Sequence, residues 1–99
     1  MALDVFNDLI ERNFVIDNVV RRITKKGIDN ILSIEVKDFI RSNPKAKLES
    51  ANIRFDKSTN QYLFTYRIAH KESSKTCYKV MMLITRYQMM SYFKEVKDK

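Results

Sequence analysis

The sequence is poor in the residues that punctuate, cross-link or coordinate: its 99 residues include one Gly, one Pro, one Cys and one His. A single cysteine, Cys77, cannot close an intramolecular disulfide, and no charged, apolar and small-residue leader opens the chain. A cytoplasmic setting is therefore expected. One glycine is too few for a phosphate-cradling loop or a dinucleotide fingerprint, so ATP-driven work is not expected. The same scarcity leaves no flexible linker and no low-complexity tract, and no internal repeat is found. The longest apolar run, Val80 to Ile84, is far shorter than the ~20 residues of a membrane-spanning helix, so no membrane partner is expected.

Catalytic sets are also missing. His70 and Cys77 form the sole nucleophilic combination. A histidine at a strand end beside a polar turn reads as a surface residue, and a cysteine within an apolar alternation reads as core filling. Two such ligands fall short of the four that a structural zinc site takes. Asp4, Asp8 and Glu11 follow helical spacing on a face that solvation explains. No enzyme activity, catalytic residue, metal or cofactor is expected.

What remains is apolar and basic. With 44% hydrophobic and 31% charged residues the chain fits one small globular domain spanning 1–99. The net charge of +7 is unevenly spread. Residues 1–43 carry seven basic and seven acidic side chains, whereas residues 44–99 carry twelve and five, so the excess sits in the second half. That half is expected to face something anionic, the alternative being a basic surface that only keeps the protein in solution.

The hydrophobic period also changes along the chain. Leu3, Phe6, Leu9 and Ile10 predict a first helix that ends near Asn13. Val15, Ile16, Val19, Val20 and Ile23 form a second stripe, with Arg21, Arg22, Lys25 and Lys26 near its end and Gly27 as a stop. A helix fits this spacing, and the β-branched content fits a strand equally well. Ile28, Ile31, Leu32, Phe39 and Ile40 predict a third helix that ends at Ser42, Asn43 and Pro44. Beyond Pro44 the period becomes two. Ile53 and Phe55, then Tyr62, Phe64, Tyr66 and Ile68, then Tyr78, Val80, Met82 and Ile84 predict three antiparallel strands in a meander. Met89, Phe93 and Val96 return to helical spacing, with Lys94, Lys97 and Lys99 near the end.

The expected fold is thus α+β, with two or three N-terminal helices, a three-stranded antiparallel sheet and a short C-terminal helix. The helical half covers residues 1–43 and the basic β half residues 44–99. Phe55, Phe64, Ile68, Val80 and Ile84 are the expected core, and Arg54, Leu63, Thr65, Arg67, Lys79, Met81 and Leu83 share the other sheet face. The order helix, three strands, helix from Ile28 onward resembles the double-stranded RNA-binding domain family over about seventy residues, which would imply duplex RNA as partner. That family grips phosphates with lysines at the start of its last helix, where this chain reads Tyr87, Gln88, Met89, Met90, Ser91, Tyr92. A helix-turn-helix with a β-wing also fits the helices before Pro44, without a recognition helix rich in Arg, Asn or Gln.

The function expected from this is non-enzymatic binding. Arg54, Lys57, Arg67, Lys71, Lys75, Lys79 and Arg86 fall on the strands and turns of one sheet, where phosphate contacts add up, and interleaved tyrosines can stack on unpaired bases unless the core takes them. Nucleic acid, DNA or RNA, is the first partner class. The second is an acidic protein surface, met by a regulator or inhibitor with Leu63, Met81 and Leu83 as an apolar interface and Met89 and Met90 as further candidates. The composition resembles small early products of AT-rich phages or viruses, which implies a host cytoplasm. Self-association through a sheet edge is a third reading.

Overall fold

The structure is a computed structural model and describes residues 4–97. Leu3 and Lys99, which the sequence assigns to the first helix and the last turns, lie outside the described residues, as does the Asp4 side chain. The chain begins with helix α1 (Asp4–Glu11), which buries Val5 and Leu9 and leaves Ile10 exposed. Strands β1 (Phe14–Ile16) and β2 (Val19–Ile23) follow as a hairpin. Helices α2 (Lys25–Ile31) and α3 (Ile34–Ser42) precede the long strands β3 (Ala46–Asp56), β4 (Gln61–His70) and β5 (Thr76–Ile84). Helix α4 (Arg86–Tyr92) leads into β6 (Phe93–Glu95).

The expected architecture of N-terminal helices, one sheet and a closing helix is therefore corrected. Among the described residues there are four helices and two three-stranded antiparallel sheets, ordered β1-β2-β6 and β3-β4-β5. Residues 14–23 form a hairpin because Asp17 and Asn18 both take positive φ, 53° and 68°, as a two-residue turn of type I′ demands. The helix expected from Ile28 to Ile40 is two helices. Thr24 caps the first by accepting from Gly27 N at 2.9 Å, and Ser33 caps the second by accepting from Val36 N at 3.2 Å.

Gly27 is not the expected stop but a buried residue inside α2. A Cβ there would lie 2.5 Å from the Tyr92 carbonyl oxygen and 2.7 Å from Ile23 Cγ1. The same carbonyl accepts from Thr24 N at 2.7 Å, so the α4–β6 junction is drawn onto the start of α2 by a hydrogen bond that only glycine leaves room for.

The three-strand meander forms as expected. Tyr62, Phe64, Tyr66 and Ile68 of the central strand are buried, and Ile53 and Ile84 join them from the two neighbours. Phe55 and Val80, expected in the core, are partly buried and pack against it from the sheet edges. Phe14 and Phe93 of the small sheet meet Phe64 at ring-centroid distances of 5.9 Å each, and each other at 5.4 Å. This aromatic triangle joins the two sheets. Phe39 of α3 packs edge-on against Tyr78 of β5 at 5.1 Å, which places α3 on the inner side of the large sheet.

Candidate nucleic-acid interface

No described element covers the outer face of the large sheet, and strand register sets what it displays. Ser50 lies opposite Arg67 and Arg67 opposite Lys79; Asn52, Thr65 and Met81 form the next row, and Arg54, Leu63 and Leu83 the one after. The two basic rows are four residues apart, roughly 13 Å along the strands. Met81 is 60% and Leu83 45% exposed. Leu63 is half-buried and Arg54, Arg67 and Lys79 are exposed.

Arg67 and Lys79 stand directly across from each other, although like charges in that position destabilise a sheet. Arg67 relieves part of the conflict by donating from Nη2 to Thr76 Oγ1 at 3.2 Å. Among the described residues, neither Arg54, Arg67 nor Lys79 belongs to an ion pair. Arg54 does have a carboxylate near it. Asp56 is held below the usual carboxylate range mainly by hydrogen bonds from the Thr59 and Ser58 hydroxyls, with the Arg54 charge a lesser cause. Of these three, Arg67 and Lys79 are thus the two with no carboxylate partner among the described residues.

The turns extend this face at both ends. Lys57 lies in the 57–60 turn beside the Arg54 row, while Lys71 and Lys75 lie in the 71–75 turn at the opposite end. Lys71 N donates to the Lys45 carbonyl at 2.6 Å, and Lys45 Nζ pairs with Glu72 at 3.4 Å. Sequence reasoning missed Lys47. It lies opposite Ala69 on β3, and its Nζ donates to Ser74 Oγ at 3.4 Å. The alternation back from Arg54 through Asn52 and Ser50 leads to Leu48, and the bulge between Leu48 and Ser50 moves the outer position to Lys47 instead. Another like-charge pair, Arg22 opposite Lys94 on the small sheet, joins residues from the two ends of the chain.

The structure separates Arg86 from the other candidates. The capping box of α4, in which Thr85 and Gln88 exchange hydrogen bonds of 2.9 and 3.0 Å, turns the chain at the end of β5. Arg86 then pairs with Asp17 at 3.6 Å and lies 5.4 Å from the Tyr62 ring centroid and 5.9 Å from that of Phe55. The Tyr62 hydroxyl donates to the same Asp17 carboxylate. Burial, and then that hydrogen bond, hold Tyr62 above the usual phenol range. Arg86 thus ties the small-sheet turn to the large sheet's inner face.

Stacking on unpaired bases loses most of its candidates as well. Tyr62, Tyr66 and Tyr92 are buried, Tyr78 packs under α3, and Tyr87 alone among the described tyrosines is exposed, at 83%. What the face can do chemically is hold anions while offering an apolar strip beside them. His70 and Cys77 share no hydrogen bond. The histidine Nδ1 is buried without a partner, and the Cys77 thiol, exposed at a bulge of β5 rather than filling the core, lies 3.7 Å from the Lys75 carbonyl oxygen. Among the described residues no group of three or more His, Cys, Asp or Glu is placed to hold a metal ion, and no helix is long and apolar enough to cross a membrane. Comparison of the chain with protein-family models, curated proteins and solved structures gives no match.

Proposed function

We propose that the protein is a non-enzymatic binder of nucleic acid that grips the phosphate backbone with the outer face of its large sheet. The observation that carries this reading is the placement of Arg67 directly opposite Lys79 on an uncovered face without an acidic partner among the described residues. A fold gains no stability from that arrangement, whereas a phosphate between the two cations relieves it. Arg54 and Lys47 on the same face, and Lys57, Lys71 and Lys75 at its ends, extend the contact along a backbone. With Tyr87 the one exposed tyrosine, phosphate contacts rather than base stacking dominate, so sequence preference is weak. A cytoplasmic setting suits the free and exposed Cys77 thiol.

The test is a fluorescence-anisotropy titration of mixed-sequence DNA and RNA, each single- and double-stranded, at 50 and 200 mM salt. If the four cations of the face itself, Arg67, Lys79, Arg54 and Lys47, each meet a phosphate, affinity for duplex DNA falls about a hundredfold between the two salts, and further for each turn lysine that joins them. The double change Arg67→Glu and Lys79→Glu should weaken binding and lower the salt slope by about two. No binding to any of the four probes below about 100 μM at the lower salt overturns the proposal.

A second reading is favoured by the exposed Met81 and Leu83 beside the basic rows: an acidic protein surface anchored by the apolar strip. In that case Leu83→Ala costs as much affinity as a charge reversal, while on nucleic acid it costs almost nothing. Self-association is the third reading, because β5 is an edge strand whose one charged residue is Lys79. Sedimentation of the purified protein at rising concentration tests it.

A further inference from the structure

The helices border an open cleft of about 470 Å³, lined from α1, α2 and α3. Phe6 and Ile10 of α1 and Ile28 of α2 give it apolar walls, and Lys25, Lys37 and Arg41 bring three cations to it against the one carboxylate of Asp29. Its volume falls in the range of small-molecule sites. The neutral total charge of residues 1–43 conceals this local excess.

Lys37 is the informative residue. Its side chain is only 16% exposed, and its Nζ lies 3.4 Å from Asp29, whose own side chain is 61% exposed. The Nζ meets Asp29 in an exposed hydrogen bond, so the covered part of Lys37 is its alkyl stem, which extends the apolar wall while the ammonium stays at the cleft mouth. Arg41 lies 5.7 Å from the Phe6 ring centroid, and its carboxylate partner Asp38, at 3.6 Å, is not among the cleft-lining residues. A bare inorganic anion would use the cations and leave Phe6, Ile10 and Ile28 without purpose. A neutral apolar molecule would use the walls and make no use of the positive charge that three cations and one carboxylate leave at the cleft. One ligand chemistry uses both.

We propose that this cleft binds a small anionic amphiphile, a free carboxylate carried on an alkyl chain. The carboxylate accepts from Lys37, with Lys25 and Arg41 adding positive charge around it. The chain lies against Phe6, Ile10 and Ile28. This site is independent of the nucleic-acid reading and stands or falls separately.

The test is a ¹⁵N–¹H NMR titration of the full chain with octanoate below its micellar concentration, with octanol and acetate as matched probes lacking the charge or the chain. Saturable octanoate binding is expected, with Kd on the order of 1 mM or tighter. The shifts should centre on Phe6, Ile10, Ile28 and Lys37. Octanol should bind about tenfold more weakly, and acetate should give no saturable shift. Lys37→Met keeps the apolar stem and deletes the charge; it should weaken octanoate about tenfold and leave octanol unchanged. If that variant does not fold, Lys25→Gln with Arg41→Gln, both on exposed positions, should weaken octanoate in the same selective way. Equal affinity for octanol and octanoate, shifts centred on Arg67 and Lys79, or no saturation with octanoate each overturn the proposal.

Discussion

The two sheets reach stability by different routes. The large sheet is made of strands of nine to eleven residues that are neighbours in the chain, with every second side chain of the central strand buried. The small sheet has strands of three and five residues and pairs a hairpin near the N-terminus with Phe93–Glu95. Alternation over a long strand fixes its own inner and outer face. A three-residue strand has no such power and depends on what it docks against: here Phe14 and Phe93, both buried, seated on Phe64. The first arrangement can leave its outer face free for binding. The second spends its short length on holding the molecule together.

The most severe way to break this comparison is to remove the residue the two sheets share. Phe64→Ala should cost about 3 to 5 kcal/mol, because it deletes the ring that Phe14, Phe93 and Tyr66 all contact. Chemical denaturation measures it. A change below about 1 kcal/mol would mean that the small sheet is not anchored on Phe64.

Gly27→Ala should come next. In an exposed helix this change adds about 1 kcal/mol of stability, but here the new Cβ meets the Tyr92 carbonyl oxygen at 2.5 Å. The oxygen belongs to the backbone and already accepts from Thr24 N, so it cannot move aside cheaply. A net loss of about 1 to 3 kcal/mol is expected in thermal melting. A gain would show that the α4–β6 junction sits more loosely on α2 than the structure has it.

These two positions also show what the sequence made legible. Period-two alternation assigned the inner face of β4 and the outer positions Arg54, Leu63, Arg67, Lys79, Met81 and Leu83 correctly, because β4 keeps one register with both neighbours from Tyr62 to Arg67. Residues 14–23 are ambiguous by period, and only the turn pair Asp17–Asn18, suited to positive φ at both positions, decides between helix and strand. Gly27 was read by its usual role at helix ends, and its contact with Tyr92, 65 positions later, has no local signature. The basic face was visible in part. Charge counting placed Arg86 on it, but the capping box at Thr85 and Gln88 turns that residue toward Asp17 and the Tyr62 ring.

A gentler probe separates the buried side of the large sheet from the open one by pH. Burial pushes the Tyr66 phenol up to about 12, whereas in the unfolded chain it titrates near 10. The folded state therefore keeps a proton that the unfolded state loses. The resulting stability is complete below pH 10 and declines as pH rises toward 12. Tyr66→Phe removes this group, so the alkaline limb of a stability-against-pH curve should become shallower while the neutral plateau changes less. An unchanged limb would mean that Tyr66 reaches water readily and that the inner face is open there.

The smallest effect concerns the outer face, and it tests whether that face trades stability for binding. Lys79→Glu replaces a like-charge pair opposite Arg67 with an opposite-charge pair. If the native arrangement is strained, the substitution should raise stability by roughly 0.2 to 1 kcal/mol, the range for a favourable cross-strand pair. Nucleic-acid affinity should fall at the same time, and the salt dependence with it. Lys79→Gln, which removes the repulsion without adding attraction, should lie between the two in stability. High salt should shrink the differences among all three forms, because exposed charges are screened. A loss of stability on introducing the acid would mean that Lys79 is already well accommodated beside Arg67. The face would then owe its charge to no functional conflict, and the argument for an anionic partner would lose its strongest support.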